Sequence, residues 1–397
     1  MYVKNRFIAE RMARLPPYAT QQMFMVATEM ECSSKEVIHL EFGEPDFGTP
    51  DCVIEAAHKA MEEGYTRYTS SVGMLELREA IAERLSLDYG IDVDPKSEVI
   101  VLPGAKHAIY CSVVATVNPG EEVIVADPYF LPYEFAINLV GGKLVSVPLR
   151  EELDFRLNPE ELEKCITSKT KMLLLNFPHN PTGSVLTRDD VESIVEIARR
   201  RDILTVSDGV YEKFVFDGGK YYPVLAFPEM RERTIFVNSF SKTYAMTGWR
   251  LGYAVARGEI IERIRKVQES TTTCVPPFCQ IAGMEALKAG DHFVKEMIRE
   301  FDHRRTLLVQ GLNKIKGVSC MMPKGAFFAF PNVRELGMDS FKLSEYLLKE
   351  AGVVTVPGSA FGRYGQGYLR LSYTNSTEKI EKALKRIEEA IAKLAYG

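Results

Sequence analysis

Ser239-Phe240-Ser241-Lys242 is followed six residues on by Gly248 and then by Arg250. Two hydroxyls and a guanidinium fork so close together suit a dianionic phosphate, which accepts several hydrogen bonds and pairs bidentately with arginine. Lys242 lies beside that cradle. A lysine near another cation in a partly dry site has a lowered pKa, so its neutral amine becomes available as a nucleophile. Taken alone, the same residues also fit a solvated surface. Pro103-Gly104-Ala105-Lys106 lies between an apolar run and a helical pattern. Free backbone N–H groups at such a helix start are a second place for a phosphate.

The segments that would position these residues alternate between extended and helical patterns. Val99–Leu102, Val123–Ala126, Met172–Leu175, Ile203–Val206 and Thr234–Val237 are short apolar runs bounded by turn or polar residues. They predict strands of a mostly parallel sheet buried between helices. Thr187 predicts the N-cap of a helix over 189–200. After about residue 290 the character changes. Long amphipathic helices are expected near 291–315 and 377–395, the latter with Ile380, Leu384, Ile387, Ile391 and Leu394 in one stripe. Short strands are expected around 326–330, 353–356 and 368–372. The expected class is α/β, with a large domain over 46–290 and a smaller α+β domain made of 1–45 and 291–397.

Composition narrows the classes. A net charge of -5 offers no field for nucleic acid, and no basic run is interleaved with aromatics. No apolar run is long enough to span a membrane. Seven irregularly spaced cysteines read as reduced thiols of a cytoplasmic protein, without the paired spacing of a zinc site. No metal is expected.

Ser-x-Ser-Lys-x5-Gly-x-Arg-Leu-Gly over residues 239–252 resembles, without a gap, the lysine signature of class I/II aminotransferases. These enzymes have the aspartate-aminotransferase-like fold and use pyridoxal 5′-phosphate. The resemblance extends over about residues 15–395. It implies that Lys242 carries the cofactor covalently. Ser239, Ser241 and Arg250, with backbone N–H groups in the Gly104-Ala105-Lys106 turn, would then hold its phosphate. In Asn180-Pro181-Thr182-Gly183, Asn180 takes the family's hydrogen bond to the cofactor's phenolic oxygen, and Tyr211 is the second donor. Asp208 follows the fourth apolar run, at the strand end where such sheets bind ligands. There it would pair with the pyridine nitrogen and keep the ring an electron sink; an N-cap is the plainer alternative. Phe130 aligns with the aromatic that stacks on the ring, and Tyr68 with the tyrosine that reaches the neighbouring subunit's phosphate, which implies a homodimer.

For substrate, the resemblance assigns Arg370, assisted by Asn180 and the backbone of Gly43, to the α-carboxylate of an amino acid or 2-oxo acid. Thr20 and the Lys106 side chain align with residues that recognise a distal carboxylate, which makes aspartate or another acidic donor a candidate. His107 and His179 read as bystanders. Gly209 stands where family members commonly carry an acidic residue. Carbon–sulfur β-lyases, cyclases and arginine oxidases share the same ligands and remain alternatives. A cofactor-sensing regulator would carry an additional DNA-binding region. A nicotinamide-dependent oxidoreductase lacks its Gly-x-Gly-x-x-Gly turn here.

Overall fold

The computed structural model describes residues 7–15, 19–32 and 36–394. Its centre is a seven-stranded sheet: β1 (Val99–Leu102), β2 (Glu122–Asp127), β3 (Lys143–Pro148), β4 (Thr170–Asn176), β5 (Leu204–Asp208), β6 (Thr234–Ser239) and β7 (Gly252–Val255). The spatial order is β1-β7-β6-β5-β4-β2-β3. Strands β2 to β6 run parallel, and β7 is antiparallel to both of its neighbours. Alternate residues face opposite cores. Val123 and Val125 join one apolar cluster, while Ile124 and Ala126 join another. Ile100 and Val101 divide in the same way. Both faces are therefore covered, which explains why these strands read as continuous apolar runs rather than alternating ones.

Two of the seven strands are not among the five expected from sequence. β3 lies at the sheet edge, and its first four residues are exposed or half-buried. It therefore has no continuous apolar run. β7 opens on the glycine that closes the lysine motif. The fourth expected strand is also shifted, running from Leu204 to Asp208. The helix Arg188–Arg200 begins at Thr187, whose side chain caps Asp190 N–H while the Asp190 carboxylate accepts from the Thr187 N–H.

A second core gathers the C-terminal third of the chain. The strands Phe328–Ala329, Val356–Pro357 and Leu369–Ser372 form an antiparallel sheet with the last in the middle. Around it pack the helices Asp291–Leu312, Ser340–Ala351 and Thr377–Leu394. In the last helix Ile380, Ile387 and Ile391 are buried, with Leu384 and Leu394 partly buried against the same core. Ile38–His39 pairs in parallel with Val353–Val354, and Leu40 O accepts from Ser372 N–H at 2.7 Å. This stitches the N-terminal segment to the second core. The loop after β5 crosses over as well: Tyr211 and Phe214 are buried among Phe301, Phe327 and Phe328. Among the described residues, no helix is long and apolar enough to cross a membrane.

Candidate active site

β4 and β5 end in step, with Asn176 opposite Asp208, and β6 runs two residues past Val237, the partner of Asp208. Their carboxyl ends open on a cavity of about 450 Å³ whose far wall comes from the second core. The two cores thus meet around one volume.

One corner of the cavity is built for an anion. The helix Ala105–Thr116 starts directly after Gly104, whose φ of 82° lies in the left-handed region that favours glycine. A Cβ there would stand 2.8 Å from Arg250 Nη2, and a Cβ on Gly252 would stand 2.8 Å from Ala105 N. Both glycines therefore let this turn and the arginine close in. The first-turn N–H groups of Ala105 and Lys106 have no partner within the helix. Ser239 Oγ accepts from Ser241 N–H at 3.1 Å and lies 2.8 Å from Ser241 Oγ. Arg250 donates to Thr247 O at 2.8 Å and to Pro103 O at 3.4 Å, and its side chain stays exposed.

Asp208 is buried in the middle of the cavity floor. It accepts from Tyr133 OH at 2.6 Å and from Val210 N–H at 3.2 Å. Burial pushes its pKa up to about 6, against the pull of Tyr133, Val210 and Lys242. A buried carboxylate without an ion pair among the described residues suits a cationic ring nitrogen. Asn176 ties the floor together, donating to Asp208 O at 3.3 Å and accepting from Asn180 N–H at 3.1 Å. Tyr211 is buried within hydrogen-bonding reach of the Asn180 side chain, and burial raises its pKa. The Phe130 ring meets Tyr133 edge to face at 5.5 Å, and Lys106 Nζ lies 5.7 Å from the Phe130 centroid.

Lys242 sits on the single helical turn Phe240–Thr243. Its Nζ donates to Gly43 O at 2.6 Å. Burial, reinforced by Arg250, Arg370 and Lys106 and opposed by Glu44, lowers its pKa to about 8. The neutral amine is thus accessible near neutral pH. Opposite it, Arg370 is buried on Leu369–Ser372. It donates to Asn180 Oδ1 at 3.0 Å and to Glu41 O at 2.5 Å, and its guanidinium carbon lies 4.5 Å from the Phe328 centroid.

The cavity thus gathers Gly43, Ala105, Lys106, Phe130, Asn180, Asp208, Tyr211, Ser239, Ser241, Lys242, Arg250 and Arg370. Gly104 shapes its edge. Tyr68 is not on the wall and is 85% exposed. Thr20 lies on the helix Ala19–Cys32, but its side chain falls outside the described residues. His179 is buried away from the cavity, its Nδ1 2.8 Å from Thr182 Oγ1, and burial lowers its pKa to about 3. Sequence reasoning missed Tyr133, Asn176 and the Glu41 carbonyl. Asn176 as the last residue of an apolar strand was a usable signal; a backbone carbonyl leaves none. Gly209 has a packing cause, since a Cβ there would stand 2.8 Å from the Phe236 ring and 3.0 Å from Tyr221 OH.

The donors fit a phosphorylated pyridine aldehyde at every polar end: an anion corner, a buried carboxylate, two phenolate partners and an amine of lowered pKa. Comparison with known proteins agrees. The family model "Aminotransferase class I and II" matches residues 35–387. An aspartate aminotransferase of Pyrococcus abyssi is 44% identical over 97% of this chain and 98% of its own. Aromatic-amino-acid aminotransferase 2 of Thermococcus litoralis is 42% identical over the same shares of the two chains. A crystal structure of a Pyrococcus protein, A1, superposes with a TM-score of 0.94 at 45% identity, covering 97% of this chain and 98% of that one. Matched across both cores, the chain belongs to the class I and II aminotransferases, pyridoxal-phosphate enzymes that move an amino group between an amino acid and a 2-oxo acid.

Proposed function

We propose that Lys242 carries the cofactor and moves the substrate's α-proton, with an acidic amino acid such as aspartate as donor. The observation that carries this reading is that Lys242, its pKa lowered to about 8, lines one cavity with Asp208 and Arg370. Pyridoxal phosphate, when bound, supplies an aldehyde and an electron-withdrawing ring. The chain's own residues do the rest. Ser239, Ser241, Arg250 and the backbone N–H groups of Ala105 and Lys106 hold the phosphate, with Gly104 giving the turn. Asp208, itself held by Tyr133, keeps a proton on the ring nitrogen. Asn180 and Tyr211 bind the phenolic oxygen, and Phe130 covers one ring face. Arg370 takes the substrate α-carboxylate with help from Asn180 and the Gly43 backbone. This leaves the Lys242 amine as the group that would take the α-proton and return it on the other side of the substrate's nitrogen, to the cofactor's C4′ carbon, the role of a general base and then acid.

Lys106 and Thr20 recognise the distal carboxylate in this reading. An aromatic donor is the competing one, favoured by Lys106 Nζ resting over the Phe130 ring and by the Thermococcus relative's activity. The large domain spans 46–290 and the smaller one 1–45 with 291–397. The protein works as a cytoplasmic homodimer in which the exposed Tyr68 serves the partner's phosphate. A screen of donors, following conversion of the cofactor to its aminated form by absorbance, tests the reading. Fast conversion by aspartate or glutamate supports it. Conversion by aromatic donors alone moves the choice to the competitor. No conversion by any donor overturns it.

A further inference from the structure

Arg370 and Lys242 come from distant segments, yet both end on one short stretch of backbone. Arg370 Nη2 donates to the Glu41 carbonyl at 2.5 Å, and Lys242 Nζ donates to the Gly43 carbonyl at 2.6 Å. Residues 41–43 therefore set the spacing between the two cations that flank the substrate. What fixes this stretch is unusual. The Glu41 side chain is fully buried, and its Oε2 has no hydrogen-bond partner among the described residues. Its Oε1 lies 2.6 Å from His39 Nδ1. The other ring nitrogen of His39 is 3.1 Å from Glu31, on the helix Ala19–Cys32. The imidazole also stacks on Phe42, with centroids 5.2 Å apart. On the far side, Asn375 Nδ2 donates to His39 O.

We propose that His39 is a positioning residue for substrate capture: it clamps the buried Glu41 carboxylate and so holds the Glu41 carbonyl where Arg370 docks. A buried carboxylate needs a cation or donors to remain in place. His39 supplies one donor to Glu41, and its second ring nitrogen faces Glu31, so the helix and the substrate-side segment share one residue. The described charged groups facing the ring are Glu41, two residues on in the chain, and Glu31 from the helix, and they raise the His39 pKa. The packed strand Val353–Val354 brings no charge. The effect reaches Arg370 through the Glu41 carbonyl.

This inference rests on Arg370 binding the substrate carboxylate, so the test carries its own control. KM, kcat and cofactor affinity are measured on holoenzyme with the best donor of the screen. His39→Ala should raise KM about five- to twentyfold, with kcat within about twofold and cofactor affinity unchanged, because ground-state and transition-state binding through Arg370 weaken together. His39→Gln keeps one donor for Glu41 and should recover most of the loss. If His39→Ala does not fold, Glu41→Gln, which removes the charge but keeps the shape, must raise KM alone. Unchanged KM in these variants overturns the clamp. So does a joint fall of kcat and cofactor affinity, which is the mark of general loosening. Arg370→Lys is run alongside. A raised KM there with normal His39 variants defeats only the clamp, whereas an unchanged KM defeats the substrate assignment beneath it.

Discussion

On the sheet side of the cavity, Asn176, Asp208 and Ser239 are the last residues of β4, β5 and β6, so the backbone ladder sets their places. On the opposite side, Arg370 and the Glu41 carbonyl meet from segments more than three hundred residues apart through a single side-chain to backbone bond. In the proposed function the sheet side serves the cofactor's ring, and the opposite side serves the α-carboxylate that every donor carries. A rigid ladder suits the first task, because it fixes groups around a reacting centre, and docked side chains suit the second, which is a matter of binding.

If that division is right, damage on the two sides has different kinetic signatures. Asp208→Asn should have the largest effect, lowering kcat about a thousandfold for every donor, the size expected when a preorganised charge at the reacting centre is lost. A milder fall that varies with donor breaks the division. Arg370→Ala should come next. Losing a charge-assisted pair worth about 1.5–3 kcal/mol per hydrogen bond lowers kcat/KM roughly a hundredfold, again for all donors because all carry an α-carboxylate. Here steady-state comparison of several donors is the check, and a loss confined to one class contradicts the assignment.

How much of this was legible in the sequence follows the same division. The strand-end residues Asp208 and Ser239, Ser241 on the turn that follows, and the Gly104 turn sit in contiguous motifs, because a strand end and the turn after it are neighbours in the chain. Five of the seven central strands showed as apolar runs for the related reason that both faces are buried. β3 stayed hidden because an edge strand is half wet, and β7 because its glycine start belongs to a motif with another use. Tyr133 carried no signal of its own; its bond to Asp208 spans 75 positions. The Glu41 carbonyl and the Glu31–His39–Glu41 chain depend on pairings that only the fold creates.

Two smaller effects sharpen the comparison. Lys106→Met should lower kcat/KM for aspartate or glutamate about ten- to hundredfold while sparing aromatic donors, since it removes a charge opposite the distal carboxylate but not the backbone N–H. An equal loss for all donors means that Lys106 serves the cofactor corner instead. The smallest is a matter of pH. Burial and three cations depress Lys242 to about 8, so below that pH its amine is protonated and cannot attack an aldehyde. The rate at which apoenzyme takes up pyridoxal phosphate should therefore climb as pH rises through about 8 and then level. A rate that is flat or falling across that range contradicts the lowered pKa.

The central claim is that one amine, Lys242, joins the two sides. Reduction of the holoenzyme with borohydride, followed by peptide mapping, tests it most directly. The account predicts the pyridoxyl label on the peptide containing Ser239-Phe240-Ser241-Lys242, on Lys242 alone. Label on Lys106 or another lysine, or a protein that reduction leaves unlabelled, would contradict it.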